Sequence, residues 1–201
     1  LDFIRLPVDP GPFLAADTKS RGQLLDMLDK AVTATLDADL GIIVNVQANG
    51  ATHYWNPDRM VSSTAAPAFD LYRGLIGELA GRLERFQPGK VALEPVNEPP
   101  QACASNVWSQ VQHALLTAAR ASSATLPLVV TGGCGSMVGG LTALDPAPLS
   151  PFEPILFTFH FYEPYLFSHQ GAPWMREPVY RSLNNVPWPA SAGSLEETLA
   201  S

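Results

Sequence analysis

The chain has 201 residues, 46% hydrophobic and 15% charged, with 19 prolines and 15 glycines; this composition excludes a low-complexity polypeptide and predicts one globular domain over 1–201 with a sizeable core. Twelve Lys and Arg against 19 Asp and Glu give a net charge of -7, and with no basic cluster to neutralise phosphates, nucleic acid is excluded as a partner. No apolar run approaches the roughly 18 to 20 residues a bilayer span needs, so a soluble protein without membrane insertion is expected.

Short apolar runs alternate with helical patterns along the chain. Phe3 to Leu6 reads as a strand closed by Pro7, and the segment 23–36, apolar at 24, 25, 28, 31, 32 and 36, has a helical period. Gly41 to Val46 is the second strand. It leads through the polar and aromatic loop QANGATHYWNPD to a helical stretch from Phe69 to Phe86. Lys90 to Val96 supplies a third strand ending at Asn97-Glu98-Pro99, followed by a helix from Ser105 to Ala121. Leu126 to Val130 and Pro154 to Phe161 are the fourth and fifth strands. Beyond Tyr165 the chain is rich in Pro and Trp, with no further strand pattern.

Strands of four to eight residues separated by helices are the pattern of parallel βα units, which makes the fold class α/β. No G-x-G-x-x-G turn follows any strand, as an open dinucleotide-binding sheet would need. Polar residues crowd the strand ends instead: Arg5, Asn45 and Gln47, Asn97 and Glu98, His160 and Tyr162. In a (β/α)8 barrel the active site is assembled at that end, so the barrel is the expected architecture. The count is five strands where a barrel has eight, which predicts a partial barrel with two exposed edges that another segment or a second chain would cover.

Glu98 is the sharpest feature. Pro99 restricts it to an extended conformation, holding an ionisable group where a strand meets a loop. Such a carboxyl group can protonate a leaving oxygen and later deprotonate water; its plainer role is a solvated helix cap. His160 and Tyr162 alternate with Phe159 and Phe161 in FTFHFYEP, so both can point to one cavity or form a half-buried aromatic pair. Arg5 lies among apolar neighbours and needs a carboxylate partner. Trp55, beside His53 and Tyr54, can serve as a platform for a pyranose ring or as a lid on the barrel rim. Cys103 and Cys134 can pair in an oxidising compartment or remain small buried thiols, and spacing does not decide. The four histidines are scattered, so no metal or other cofactor is expected. The opening LDFIRLPVDP shows neither a basic n-region nor an apolar h-region.

Taken together, IRLPVDPGPF, THYWNPD, LEPVNEPP and FTFHFYEPYLFSHQGA resemble glycoside hydrolase family 5, the cellulase family of retaining β-glycanases. The resemblance implies a (β/α)8 TIM-barrel fold of which this chain holds strands two to six. It implies a secreted or periplasmic hydrolase acting on a β-linked glucan or related poly- or oligosaccharide. By the same resemblance Glu98 is the general acid/base, Asn97 binds the sugar 2-hydroxyl, Arg5 hydrogen-bonds the nucleophile, and His160 and Tyr162 line the cleft. Gln47 stands where the family commonly has a His, so it can bind a hydroxyl but not carry a proton. The family's nucleophilic Glu ends the seventh strand, and no strand with a terminal Glu follows Tyr162; Glu177, Glu196 and Glu197 lie outside strand patterns, and Glu163 reads as a loop carboxylate. A catalytically inactive carbohydrate-binding or interaction protein is the competing expectation. An inverting hydrolase would instead need a second carboxyl group about 6.5 to 9.5 Å from Glu98, for which Asp9, Asp58 and Glu163 are candidates.

Overall fold

The structure is a computed structural model, and it describes residues 2–48 and 54–188. His53, Glu196 and Glu197 therefore lie outside the described residues. Within the one domain expected from the sequence, the chain forms two compact units, 1–159 and 160–201.

In the first unit five strands form one sheet: β1 (Phe3–Val8), β2 (Gly41–Val46), β3 (Val91–Glu94), β4 (Leu128–Val130) and β5 (Ile155–Phe157). Their spatial order is β1-β2-β3-β4-β5 and every neighbouring pair is parallel. Each connection is a helical crossover, through α1 (Pro10–Ala15) and α2 (Thr18–Asp37), then α3 (Pro57–Met60) and α4 (Phe69–Leu83), then α5 (Asn106–Ser122), then α6 (Val138–Thr142) and a 3-10 turn at Ala147–Phe152. A doubly wound sheet reverses its strand order at a switch point, whereas this order never reverses. The arrangement is an arc of a βα barrel.

Helix starts follow local chemistry. Asp9 accepts a hydrogen bond from the Gly11 amide at 2.8 Å, ahead of a helix that opens on Pro10, and Asp17 accepts one from the Ser20 amide at 2.7 Å. The Ser105 hydroxyl caps α5 on the Trp108 amide. Between sheet and helices lies the core. Val32 of α2, Leu75, Ile76 and Leu79 of α4, and Val111, Leu115 and Leu116 of α5 are buried against Val44, Leu93 and Leu128. In register, Arg5 pairs with Ile43 and Ile43 with Ala92, while Asn45 pairs with Glu94. Because side chains alternate along a strand, these residues share the face turned away from the helices. That face carries the polar groups.

Several strand ends differ from the sequence expectation. β1 runs on through Pro7 to Val8, because it is the edge strand and a missing N–H costs least there. β3 stops at Glu94 instead of Val96, and β4 begins at Leu128. β5 ends at Phe157 rather than Phe161: its last ladder contact runs from the Thr158 amide to the Val130 oxygen at 2.9 Å, where β4 itself ends. The FTFHFYEP alternation is thus not one continuous strand.

The second unit contains α7 (Tyr165–Ser168) and α8 (Pro178–Ser182). Tyr165 stacks on His169 with ring centroids 3.8 Å apart, and Tyr162 and Tyr180 meet this pair edge-on. The Gly171 amide donates to the Tyr180 oxygen at 2.7 Å, and the Val186 amide donates to Gln170 Oε1 at 2.8 Å.

Candidate active site

Arg5 leaves β1 and reaches across β2 to the end of β3. Its Nε donates to Glu94 Oε2 at 2.7 Å and one Nη donates to Glu94 Oε1 at 2.8 Å, a two-pronged charge-assisted pair. The same Nη donates to Asn97 Oδ1 at 2.9 Å. Glu94 is 1% exposed, so the carboxylate expected beside Arg5 exists and is strongly desolvated. The sequence reading missed it. Glu94 sits inside the apolar run VALEPV, and the signal that could have found it is its place in a central strand: a carboxylate there requires a cation, and Arg5 was already expected to need a carboxylate.

Around this pair the site is polar on the inner face and aromatic behind. The buried Tyr72 hydroxyl, from α4, donates to the Pro95 oxygen at 2.5 Å. Burial pushes the Tyr72 phenol well above its ordinary value, and the nearby negative charge of Glu94 adds to the effect. Asn45 is fully buried next to Glu94 in register, and neither its amide nitrogen nor its amide oxygen has a hydrogen-bond partner among the described residues.

Three residues past β3, the Asn97 amide donates to the Val46 oxygen at 3.0 Å, turning the chain across the end of β2. Glu98 follows, half-buried, with φ +45°. The extended conformation expected from Pro99 is therefore not adopted. The turn imposed between the Asn97 amide and the Pro99 oxygen, which accepts from the Gly135 amide at 3.0 Å, overrides the pre-proline preference. Left-handed backbone at a non-glycine residue costs about 1–3 kcal/mol and persists where the surroundings fix it.

Gln47 is exposed directly after β2, its amide held by the Val8 oxygen at 2.9 Å. Trp55 is half-buried against the core, and its ring meets that of the more exposed Tyr54 edge-on at 5.1 Å. The Arg59 guanidinium lies over the Tyr54 ring. Asp58 is in the first turn of α3, and Asp9 serves as the cap of α1. The structure thus brings the side chains of Arg5, Glu94 and Asn97 together across β2, with Glu98 next in the chain.

His160 and Tyr162 belong to the second unit. There they are neighbours, the Tyr162 hydroxyl 3.4 Å from His160 Nδ1 and the rings edge-on. Glu163 accepts a hydrogen bond from the Tyr165 amide at 3.1 Å and is a loop carboxylate. Cys103 and Cys134 form a disulfide. No group of three or more His, Cys, Asp or Glu among the described residues is placed to hold a metal ion, and no helix among them is long and apolar enough to cross a membrane.

A parallel sheet with strands in unreversed order and polar groups gathered at strand ends defines a βα-barrel architecture of the TIM type. The chain belongs to the cellulase family, glycosyl hydrolase family 5, whose model matches residues 1–192. The fold is shared with Thermotoga maritima Cel5A in complex with cellobiose: TM-score 0.76, 17% identity, 99% of this chain and 61% of that one covered. It is also shared with the cellulose synthase subunit Z of Clostridioides difficile (TM-score 0.74, 19% identity, 98% and 60% covered). A third similar structure is XEG5A, a xyloglucan-specific endo-β-1,4-glucanase from a metagenomic library (TM-score 0.60, 23% identity, 82% and 51% covered). The chain thus spans about 60% of the length of the first two. No curated protein sequence matches it significantly.

Proposed function

We propose that this chain is the catalytic acid/base portion of a retaining β-glycanase that hydrolyses a β-linked glucan or related polysaccharide. The observation that carries the reading is Glu98 in the turn four residues past β3, next in the chain to Asn97, whose side chain is held by the Arg5 that pairs with Glu94. In this reading Glu98 protonates the departing glycosidic oxygen, then deprotonates the water that releases the sugar. Asn97, its side-chain oxygen held by Arg5, turns its amide nitrogen to the sugar 2-hydroxyl. Arg5, fixed by Glu94, keeps a positive charge on the inner face, where the nucleophilic carboxylate is drawn into its ionised form. Gln47 and Trp55 bind the sugar.

The nucleophile and the strands that complete the barrel are assigned to polypeptide outside these 201 residues, since a retaining enzyme needs two carboxyl groups about 5 to 5.5 Å apart. The Cys103–Cys134 disulfide supports a secreted or periplasmic location, because such bonds persist in oxidising compartments.

The test is hydrolysis of aryl β-cellobiosides by the polypeptide at its natural length, beside the 201-residue chain and Glu98→Gln variants of each. The natural-length protein is expected to turn over and the 201-residue chain to bind cello-oligosaccharides without cleaving them. Glu98→Gln should abolish turnover while keeping binding within about tenfold, since the amide retains the shape but has no proton to give. Unchanged turnover in that variant removes Glu98 from the mechanism. Binding without turnover at natural length identifies a carbohydrate-binding protein instead.

A further inference from the structure

Glu98 holds a doubly disfavoured backbone, left-handed and followed by proline, so something must fix it. Two loops converge on the segment that follows. The Gln101 side chain donates from Nε2 to the oxygens of Val61 and Ser62, in the loop after α3. The Gln101 carbonyl accepts from the Cys134 amide at 2.6 Å, and the Pro99 carbonyl accepts from the Gly135 amide at 3.0 Å, both from the loop after β4. That loop lies directly against the segment itself: a Cβ at Gly133 would sit 2.4 Å from the Ala102 oxygen. The Cys103–Cys134 disulfide closes the contact across 31 residues of sequence. The receiving loop is itself under strain, with Cys134, Gly135 and Ser136 all left-handed at φ +46°, +67° and +62°.

We propose that Gln101 and the Cys103–Cys134 disulfide form a redox-sensitive clamp that positions Glu98, so that the acid/base is presented correctly only in the oxidised protein. Gln101 is a positioning residue, acting through the backbone three residues before it. Cys103 is exposed and Cys134 half-buried, within reach of a dithiol reductant. The exchange transfers two electrons and two protons from the dithiol, which becomes a disulfide, and leaves Cys103 and Cys134 as thiols. Without the covalent tie, the run 134–136 relaxes from its left-handed conformation and withdraws the amides that hold Pro99 and Gln101. The clamp makes competence follow oxidation, and hence arrival in an oxidising compartment.

The proposal rests on the assignment of Glu98 above, but its test does not require turnover. In the 201-residue chain labelled at glutamate carboxyl carbons, Glu98→Gln assigns the Glu98 resonance, and its titration is followed by NMR with the disulfide intact and after dithiothreitol. Reduction should move both the chemical shift and the titration midpoint of Glu98, and reoxidation should restore them. Glu84, which caps Thr125 and Leu126 at the opposite ends of the strands, should not move. Gln101→Leu, with the disulfide intact, should move Glu98 in the same way. An unaltered Glu98 resonance in a folded reduced chain overturns the proposal. Should reduction unfold the chain, an unaltered Glu98 in Gln101→Leu overturns it equally. In the natural-length enzyme reduction should lower kcat about tenfold or more with KM little changed, as expected for a misplaced catalytic group. Absence of any hydrolysis there counts against the glycanase reading, while the NMR response still decides the clamp.

Discussion

Arg5 is one-third exposed while its partner Glu94 is 1% exposed, and this asymmetry determines what each substitution does. Arg5→Ala leaves a desolvated carboxylate without its cation, whereas Glu94→Gln leaves a cation that water can reach. Arg5→Ala should therefore be the more destabilising. The loss should fall below the ~3–5 kcal/mol typical of breaking a fully buried pair, because solvent enters on the Arg5 side. Replacing both by apolar residues should recover most of the loss, and urea unfolding of the two single variants and the double variant measures the coupling. Asn45 gives the opposite expectation. Its amide is buried with no partner among the described residues, so Asn45→Leu should be neutral or stabilising, and a loss above about 2 kcal/mol would reveal a hydrogen bond. At this scale the sequence was legible where a residue type is unusual for its place: Arg5 among apolar neighbours demanded a carboxylate, and Asn97-Glu98 marked a strand end. Glu94 was not legible, since a carboxylate flanked by Leu93 and Pro95 reads as the close of an apolar run until the register sets it opposite Asn45. Nor was the left-handed Glu98, because it lies between the Asn97 amide, held by the Val46 oxygen, and the Pro99 oxygen, held by the Gly135 amide, and both holding groups are far away in sequence.

Between elements, α2 and α4 are joined by a charged lattice. Arg21 pairs with Glu78, Arg82 reaches Asp26 and Asp29 at 2.6 Å each, and Arg85 also meets Asp29. Burial works to raise the Asp29 carboxyl, but hydrogen bonds from Arg82 and Arg85 and their charges outweigh it and hold the group below its ordinary 3.8. Glu84 behaves alike, with burial opposed by the Ser123 and Thr125 hydroxyls and the Thr125 and Leu126 amides. Both pKa values are lower folded than unfolded, so the unfolded chain binds protons first as pH falls. Their contribution is fully present above the unfolded carboxylate value and is lost as pH drops through the folded one. Stability should thus decline between about pH 5 and pH 2. Asp29→Asn should flatten that decline, with its urea midpoint converging on the parent's in acid and separating from it near neutrality. The long helices α2, α4 and α5 were readable from their period, and α5 lies within one residue of its expected ends at both termini, whereas the short ones of four to six residues carry too few turns to show a period. Strand ends were not, because a strand stops where its neighbour stops, as β5 does against β4.

Across the whole sheet, the inner strands β2, β3 and β4 are buried, while the first and last strands leave apolar side chains in solvent. Phe3 on β1 is 53% exposed, and Leu156 and Phe157 on β5 are each 50% exposed. By alternation Leu156 and Phe157 point to opposite faces of β5, and among the described residues β5 has no strand neighbour on its outer side. A half-covered apolar edge of this kind is a template for further strand pairing. The five-strand count was legible in the sequence, and so was its consequence, since unbroken sequential order in an arc has two ends by construction. The 201-residue chain should consequently self-associate in a concentration-dependent way, visible by sedimentation velocity. Leu156→Lys should shift it toward monomer by placing a charge on the edge. Met27→Lys is the matched control, for Met27 is 63% exposed on a helix, α2, with no strand backbone to pair, and it should leave the distribution unchanged. A monomeric parent chain at high concentration would mean that the edges are already covered, and equal responses to both lysines would assign the effect to net charge instead of to β5.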